Sequence, residues 1–188
     1  MQRIRSWLQR PITWLVLTAV AAAAVVGLAL FQPWKLWVDR TVYEAPPAAA
    51  PPDATASAAA ATSPVLAAGT FISHEHATTG TAKIYQSPDG ARHLRLEDLD
   101  TSNGPLLKVW LSDAPVIPGS DGWRVFDDGR HVDLGTLKGN KGSHNYPVPA
   151  DVDLSQYRSV SIWCARFHVS FGAAELIARP APDSSGPG

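Results

Sequence analysis

The stretch Ser159–Phe171, SVSIWCARFHVSF, decides the fold class. Side chains alternate across an extended strand, so one face would carry Trp163, Ala165, Phe167, Val169 and Phe171. The other would carry Ile162, Cys164, Arg166, His168 and Ser170. The first set is uniformly apolar and reads as a core face, which turns Cys164 toward a second face that starts apolar and becomes polar. No sustained helical periodicity occurs here or anywhere after Pro64.

Outward from this stretch the same texture repeats. Strand-like runs are GTFIS (Gly69–Ser73), TAKIYQS (Thr81–Ser87), ARHLRLE (Ala91–Glu97), LLKVWLS (Leu106–Ser112), HVDLG (His131–Gly135), SVSIWCARF (Ser159–Phe167) and VSFGAAELI (Val169–Ile177). In ARHLRLE, Leu94 and Leu96 alternate with His93, Arg95 and Glu97, as in a half-buried strand. Ser87-Pro88-Asp89-Gly90 supplies a hairpin turn, since proline fixes φ and glycine accepts a positive one. Asp151–Gln156 has room for one helical turn. Short strands at this spacing, punctuated by Gly, Pro, Asn and Asp, predict an all-β domain, an antiparallel β-sandwich, over Gly69–Ala178.

The amino-terminal third is different. Ile12–Phe31 contains no charge, and a helix of about twenty residues spans roughly 30 Å, the thickness of a bilayer core. Arg3, Arg5 and Arg10 precede it and Lys35 and Arg40 follow, with Trp7 and Trp14 toward one interface and Trp34 and Trp37 toward the other. The bias predicts a cytoplasmic amino terminus (residues 1–11), a transmembrane signal anchor over residues 12–32, and an extracytoplasmic domain in the cell membrane. A cleaved signal peptide is the rival reading, disfavoured by the long apolar run and by the bulky FQPWKLWV that follows it.

Residues 33–68 read as a juxtamembrane segment and a Pro/Ala-rich linker, because Glu44–Ala68 lacks the bulky apolar residues needed to offset the entropy of ordering. An Ala-rich helix over Ala54–Ala61 stays open, and residues 179–188 read as a disordered tail. The formal net charge of -1, with 18% charged residues, argues against nucleic acid as a partner. The single cysteine excludes an internal disulfide and a multi-thiolate zinc site.

Three segments in order, LEDLDTSNGPLLKVWLS (Leu96–Ser112), LGTLKGNKGSHNYPVP (Leu134–Pro149) and SVSIWCARFHVSFGAAEL (Ser159–Leu176), closely resemble the DM13 family of extracellular domains. The resemblance implies an all-β module of surface or secreted proteins with an electron-transfer or redox role at the cysteine of Ile162-Trp163-Cys164. It also marks Asn103, Gly104, Pro105, Gly139, Tyr146 and Trp163 as structural positions of the family motifs. A bound prosthetic group, non-covalent haem or another redox group, is implied by the same likeness, and the redox or cell-surface partner is unnamed.

A thiol does redox work as an accessible thiolate, which requires its pKa of about 8.5 to be lowered. Arg166, about 6.6 Å along the strand from Cys164, is the candidate thiolate-tuning neighbour. Against this stands the ordinary behaviour of free cysteines as small buried hydrophobes. The alternative function is therefore a non-catalytic ligand-binding or adhesion module with a structural cysteine.

Other constellations are weaker. Cys164 and His168 lie about 13 Å apart along a strand, too far to share a metal. His74-Glu75-His76 offers an H-x-H pair on a strand, but two ligands do not make a site. Haem would need an axial ligand from Cys164 or the six histidines, and the C-x-x-C-H motif of covalent attachment is absent. Glu97, Asp98 and Asp100 lack calcium-loop spacing, and LKGNKGSHNYP (Leu137–Pro147) reads as a loop whose Lys138 and Lys141 could meet an anion. Ser, His and Asp occur without nucleophile-elbow spacing, so no hydrolytic triad is read. Trp110, Trp123 and Trp163 read as packing residues, with Trp123 the most exposed.

Overall fold

A computed structural model describes residues 11–47 and 63–179. The arginines at 3, 5 and 10, Trp7, the Ala54–Ala61 helix and residues 180–188 of the tail lie outside the described residues.

Among the described residues one α-helix, α1 (Pro11–Phe31), is long and apolar enough to cross a membrane, and none of its residues is buried. Proline at its first position costs nothing, because that N–H has no intrahelical partner anyway. Gln32 closes it in a left-handed conformation (φ 44°), with its N–H on the Leu28 carbonyl at 2.9 Å. Pro33 then prevents continuation, and a short 3-10 turn over Pro33–Trp37 leads to the domain.

Ten strands follow among the described residues: β1 (Thr41–Tyr43), β2 (Val65–Ser73), β3 (Thr79–Gln86), β4 (Arg92–Asp100), β5 (Leu107–Ser112), β6 (His131–Thr136), β7 (Lys141–Val148), β8 (Ser159–Cys164), β9 (Val169–Glu175) and β10 (Ile177–Ala178). They form one sheet in the order β1-β7-β4-β3-β2-β9-β8-β5-β6, with β10 on β2. The expected sandwich of two sheets is corrected to a single sheet that curls into a half-barrel. The reason is β2, nine residues long, which pairs with β3 through its first part and with β9 through Phe71–Ser73, joining what would have been two layers. Bulges sharpen the curl. Two residues of β4, Glu97 and Asp98, are passed over between the Leu96 and Leu99 pairings with β7, and Asp98 takes φ 49°. All pairings are antiparallel except β1 with β7.

The concave side is filled by Phe71, Ile84, Leu94, Leu96, Leu99, Val109, Leu111, Val160, Ile162 and Phe171. A second cluster, Trp110, Phe126, Trp163 and Ala173, lies on the other face of β5, β8 and β9. These strands are buried on both sides because Phe126 and Ala114, from the segment between β5 and β6, pack over the tryptophans. Trp110 and Trp163 are therefore core residues, stacked at 5.0 Å between centroids.

The sequence reading missed two elements. Leu137–Pro147 was expected as a loop, yet most of it is β7, a strand between β4 and β1. Gly142 and Pro147 hide it. Gly142 has φ 102° and lets Val42 approach so closely that a Cβ would lie 2.1 Å from its carbonyl oxygen. Pro147 sits beyond the three residues covered by β1, where a missing N–H leaves no ladder bond unmade. The linker expected over residues 33–68 is also structured at both ends, since β1 and the start of β2 belong to the sheet. The chain leaving α1 docks on the domain before the Pro/Ala-rich stretch begins.

Candidate functional site

The two motif segments that were most telling in the sequence meet at one hydrogen bond. The Cys164 thiol, at the end of β8, donates to the carbonyl oxygen of Pro105 at 3.2 Å. Cys164 pairs with Leu107 of β5 and Val169 of β9, and belongs to the concave core with no exposed surface. This corrects the expectation of a partly polar, solvent-facing thiol. The alternation does not run through SVSIWCARFHVSF because the chain reverses at Ala165–His168. His168 takes φ 51°, and the Phe167 N–H bonds to the Cys164 carbonyl. Cys164 and Phe171 thus share the core, while Trp163 points to the second cluster.

Burial pushes the thiol up from its ordinary value. The backbone N–H groups of Phe167 and Arg166 act in the opposite direction without reversing it. Arg166 is not the strand neighbour that the sequence suggested. It sits exposed in the turn, and its guanidinium has the smallest effect of the groups acting on the sulfur.

The turn itself is clamped from the segment between β5 and β6. Arg124 donates to the carbonyls of Phe167 (3.2 Å) and His168 (3.1 Å), and Asp127 meets His168 Nδ1 at 2.9 Å. Nothing in the sequence pattern marked Arg124 or Asp127 for this role. Phe167, 42% exposed, stacks on Phe31 at the end of α1 with centroids 5.8 Å apart.

The remaining motif residues hold the chain that arrives from α1. Asn103 donates to the Val38 carbonyl (2.8 Å) and accepts from the Gly104 N–H (2.8 Å), and Gly104 backs onto Phe171. Gly139 lets the Arg40 carbonyl come so close that a Cβ would stand 2.5 Å from it. Next to it Asn140, 1% exposed, accepts from the Arg40 N–H and donates to Asp39 and to the Thr101 carbonyl. Tyr146 is 2% exposed, and its hydroxyl accepts the Lys138 N–H at 3.0 Å. Burial raises its pKa to about 12.

Lys138 and Lys141, considered for an anion, are engaged inside the chain. Lys138 pairs with Glu44 at 2.7 Å, and Lys141 with Asp39 (3.1 Å) and Asp100 (3.5 Å). The two imidazoles of the H-x-H pair make separate contacts. His74 lies between Ser170 Oγ and the Ile117 carbonyl, while His76 pairs with Glu75 and sits edge-on over Phe171. Glu97 pairs with Lys83 and Arg95; burial works against its charge, but the bonds from Lys83 and Tyr85 hold its pKa below the usual range.

Two cavities flank Pro105. One, of about 330 Å³, is lined by Asn103, Gly104, Lys35, Arg40 and Arg166. The other, of about 520 Å³, is lined by Phe31, Trp123, Arg124, Phe167 and Phe171, with His76 on its wall. Cys164 is poorly placed as a haem ligand, because an axial thiolate would have to break the Cys164–Pro105 bond and overcome a raised pKa; the imidazole on the wall of the larger cavity is His76.

No match to this chain is found among curated proteins or among solved structures. The family model described as "Electron transfer DM13" matches residues 70–176, from the middle of β2 to the residue after β9. With more than half of its length in that match, and with the family's cysteine and NGP segments joined by one hydrogen bond, the chain belongs to the DM13 family.

Proposed function

We propose that this chain is a single-pass, membrane-anchored electron-transfer domain held on the extracytoplasmic side, with Cys164 as its redox group. The observation that carries the reading is the bond from the Cys164 thiol to the carbonyl of Pro105, a residue that lines both cavities and so ties the sulfur to their shared wall. In the resting protein the thiol is protonated and shielded. Chemistry at sulfur therefore follows displacement of Pro105 or of the clamped turn. A lone thiol has no internal partner, so its oxidation is exchange with a partner's disulfide: the Cys164 thiolate attacks one sulfur, forms a mixed disulfide and expels the other sulfur as a thiolate.

The second reading, a surface module in which Cys164 is packing, is favoured by the cysteine's full burial among Ile162, Val169 and Phe171. The test separates them. The full chain in membranes is treated with a thiol-disulfide oxidant, with Cys164→Ser treated in parallel as the control. Reversible oxidation of the native, folded protein at Cys164 supports the redox reading. A thiol that reacts only after global unfolding supports packing. A reporter enzyme active only outside the cytoplasm, fused after Gly188, checks the orientation.

A further inference from the structure

The larger cavity beside Pro105 has a composition that the cysteine reading does not use. Three of its walls are aromatic: Phe31 from the end of α1, Phe167 from the turn, and Phe171 from β9. Among them stand hydrogen-bond donors. Trp123 lines the wall, and its Nε1 is buried without a hydrogen-bond partner among the described residues. Arg124 spends one nitrogen on the turn carbonyls and has further N–H groups, and His76 offers an imidazole. Its volume of about 520 Å³ is within the range of small-molecule sites, where an apolar lining and a few placed polar groups fix a ligand's orientation.

Position narrows the ligand. Phe31 is the last residue of the apolar helix, and the cavity is walled by it and by Gln32 and Pro33, so it opens at the level where α1 would leave the bilayer. A ligand matched to this place is flat, to lie between phenyl rings; it bears acceptor oxygens, to meet Trp123 and Arg124; and it is lipid-soluble, to arrive through the membrane. We infer that this cavity binds the ring of a lipid-soluble quinone-class carrier, its two carbonyl oxygens toward Trp123 and Arg124 and its tail along α1. The inference rests on the membrane-anchor and electron-transfer reading and names the class of its small-molecule partner.

The test uses the full chain in phosphatidylcholine nanodiscs, titrated with a decyl-substituted benzoquinone whose ring carbons are all blocked against thiol addition. Quinones quench indole emission, and Trp123 lies on the cavity wall. Saturable quenching is expected in the native chain, lost in Trp123→Phe, and shifted about three- to tenfold to higher concentration in Phe167→Ala through loss of one aromatic contact. It is expected to persist in Cys164→Ser, so binding and thiol chemistry are judged separately. Quenching that grows linearly, alike in all four proteins, is partition into lipid and overturns the inference. So does saturable quenching that an added fatty acid removes as readily as excess quinone, which assigns the cavity to acyl chains. A native chain that washes out of membranes at alkaline pH overturns the anchor reading instead.

Discussion

Release of the Arg124 clamp on the β8–β9 turn should control the reactivity of Cys164. The sulfur has no exposed surface, so a small alkylating reagent reaches it only in molecules whose turn has opened. Arg124 contributes two bonds to that turn, at 3.2 and 3.1 Å, both on the surface. Bonds of this kind are worth about 0.5–1.5 kcal/mol each, and solvent screening holds the pair toward the lower end, so their loss should favour opening by about 1–2 kcal/mol. Arg124→Ala should then raise the alkylation rate at fixed pH roughly five- to thirtyfold.

The assay is pseudo-first-order labelling by iodoacetamide, read by mass, from pH 6 to 10. Native protein should label far more slowly than the same chain in denaturant, and without a plateau near the ordinary thiol pKa of about 8.5, because burial displaces ionisation upward. Equal rates for native and Arg124→Ala, or native labelling as fast as in denaturant, would refute the picture of a sealed sulfur behind a clamped turn.

Tyr146, with a folded pKa of about 12 against 10.0, should contribute stability that is complete below pH 10 and lost as pH rises toward 12, about 2–3 kcal/mol in all. Denaturant titrations across that window should show the loss in the native chain and a smaller loss in Tyr146→Phe, the remainder coming from Lys83, Tyr85 and Lys141, whose pKa values are also raised. The phenylalanine itself should cost about 1–2 kcal/mol at neutral pH by orphaning the Lys138 N–H. Trp163→Ala should destabilise by about 3–5 kcal/mol in thermal unfolding, because it opens a void between Trp110, Phe126 and Ala173. Asn140→Ala should free the segment after α1, so that limited proteolysis cuts near Asp39–Tyr43 before the rest of the domain; unchanged protection there would show that β1 is held without it.

Much of the fold was legible. Strands β3, β4, β5, β6 and β9 were read to within a few residues because each carries its own local signal, alternation or a β-branched and aromatic run between turn formers. The strand β7 was not, because its Gly142 and Pro147 look like loop chemistry until the neighbours β1 and β4 are known. For the site, Cys164 and Pro105 were both marked by motif. Arg124, Phe31 and the cavity walls were not, since each acts through a partner far away in the chain.

The sequence by itself determined what depends on near neighbours: an apolar segment long enough for a bilayer, a set of short strands, a single thiol, and family motifs in order. Only the tertiary structure decided which face each residue occupies. Alternation is a local rule and fails at any reversal, and the four-residue turn after Cys164 is such a reversal. It sends the sulfur into the core and leaves Arg166 outside, while β2, by pairing first with β3 and then with β9, joins two groups of strands into one curled sheet. Those outcomes follow from pairing between strands distant along the chain, and that pairing carries no mark in the residues immediately around Cys164.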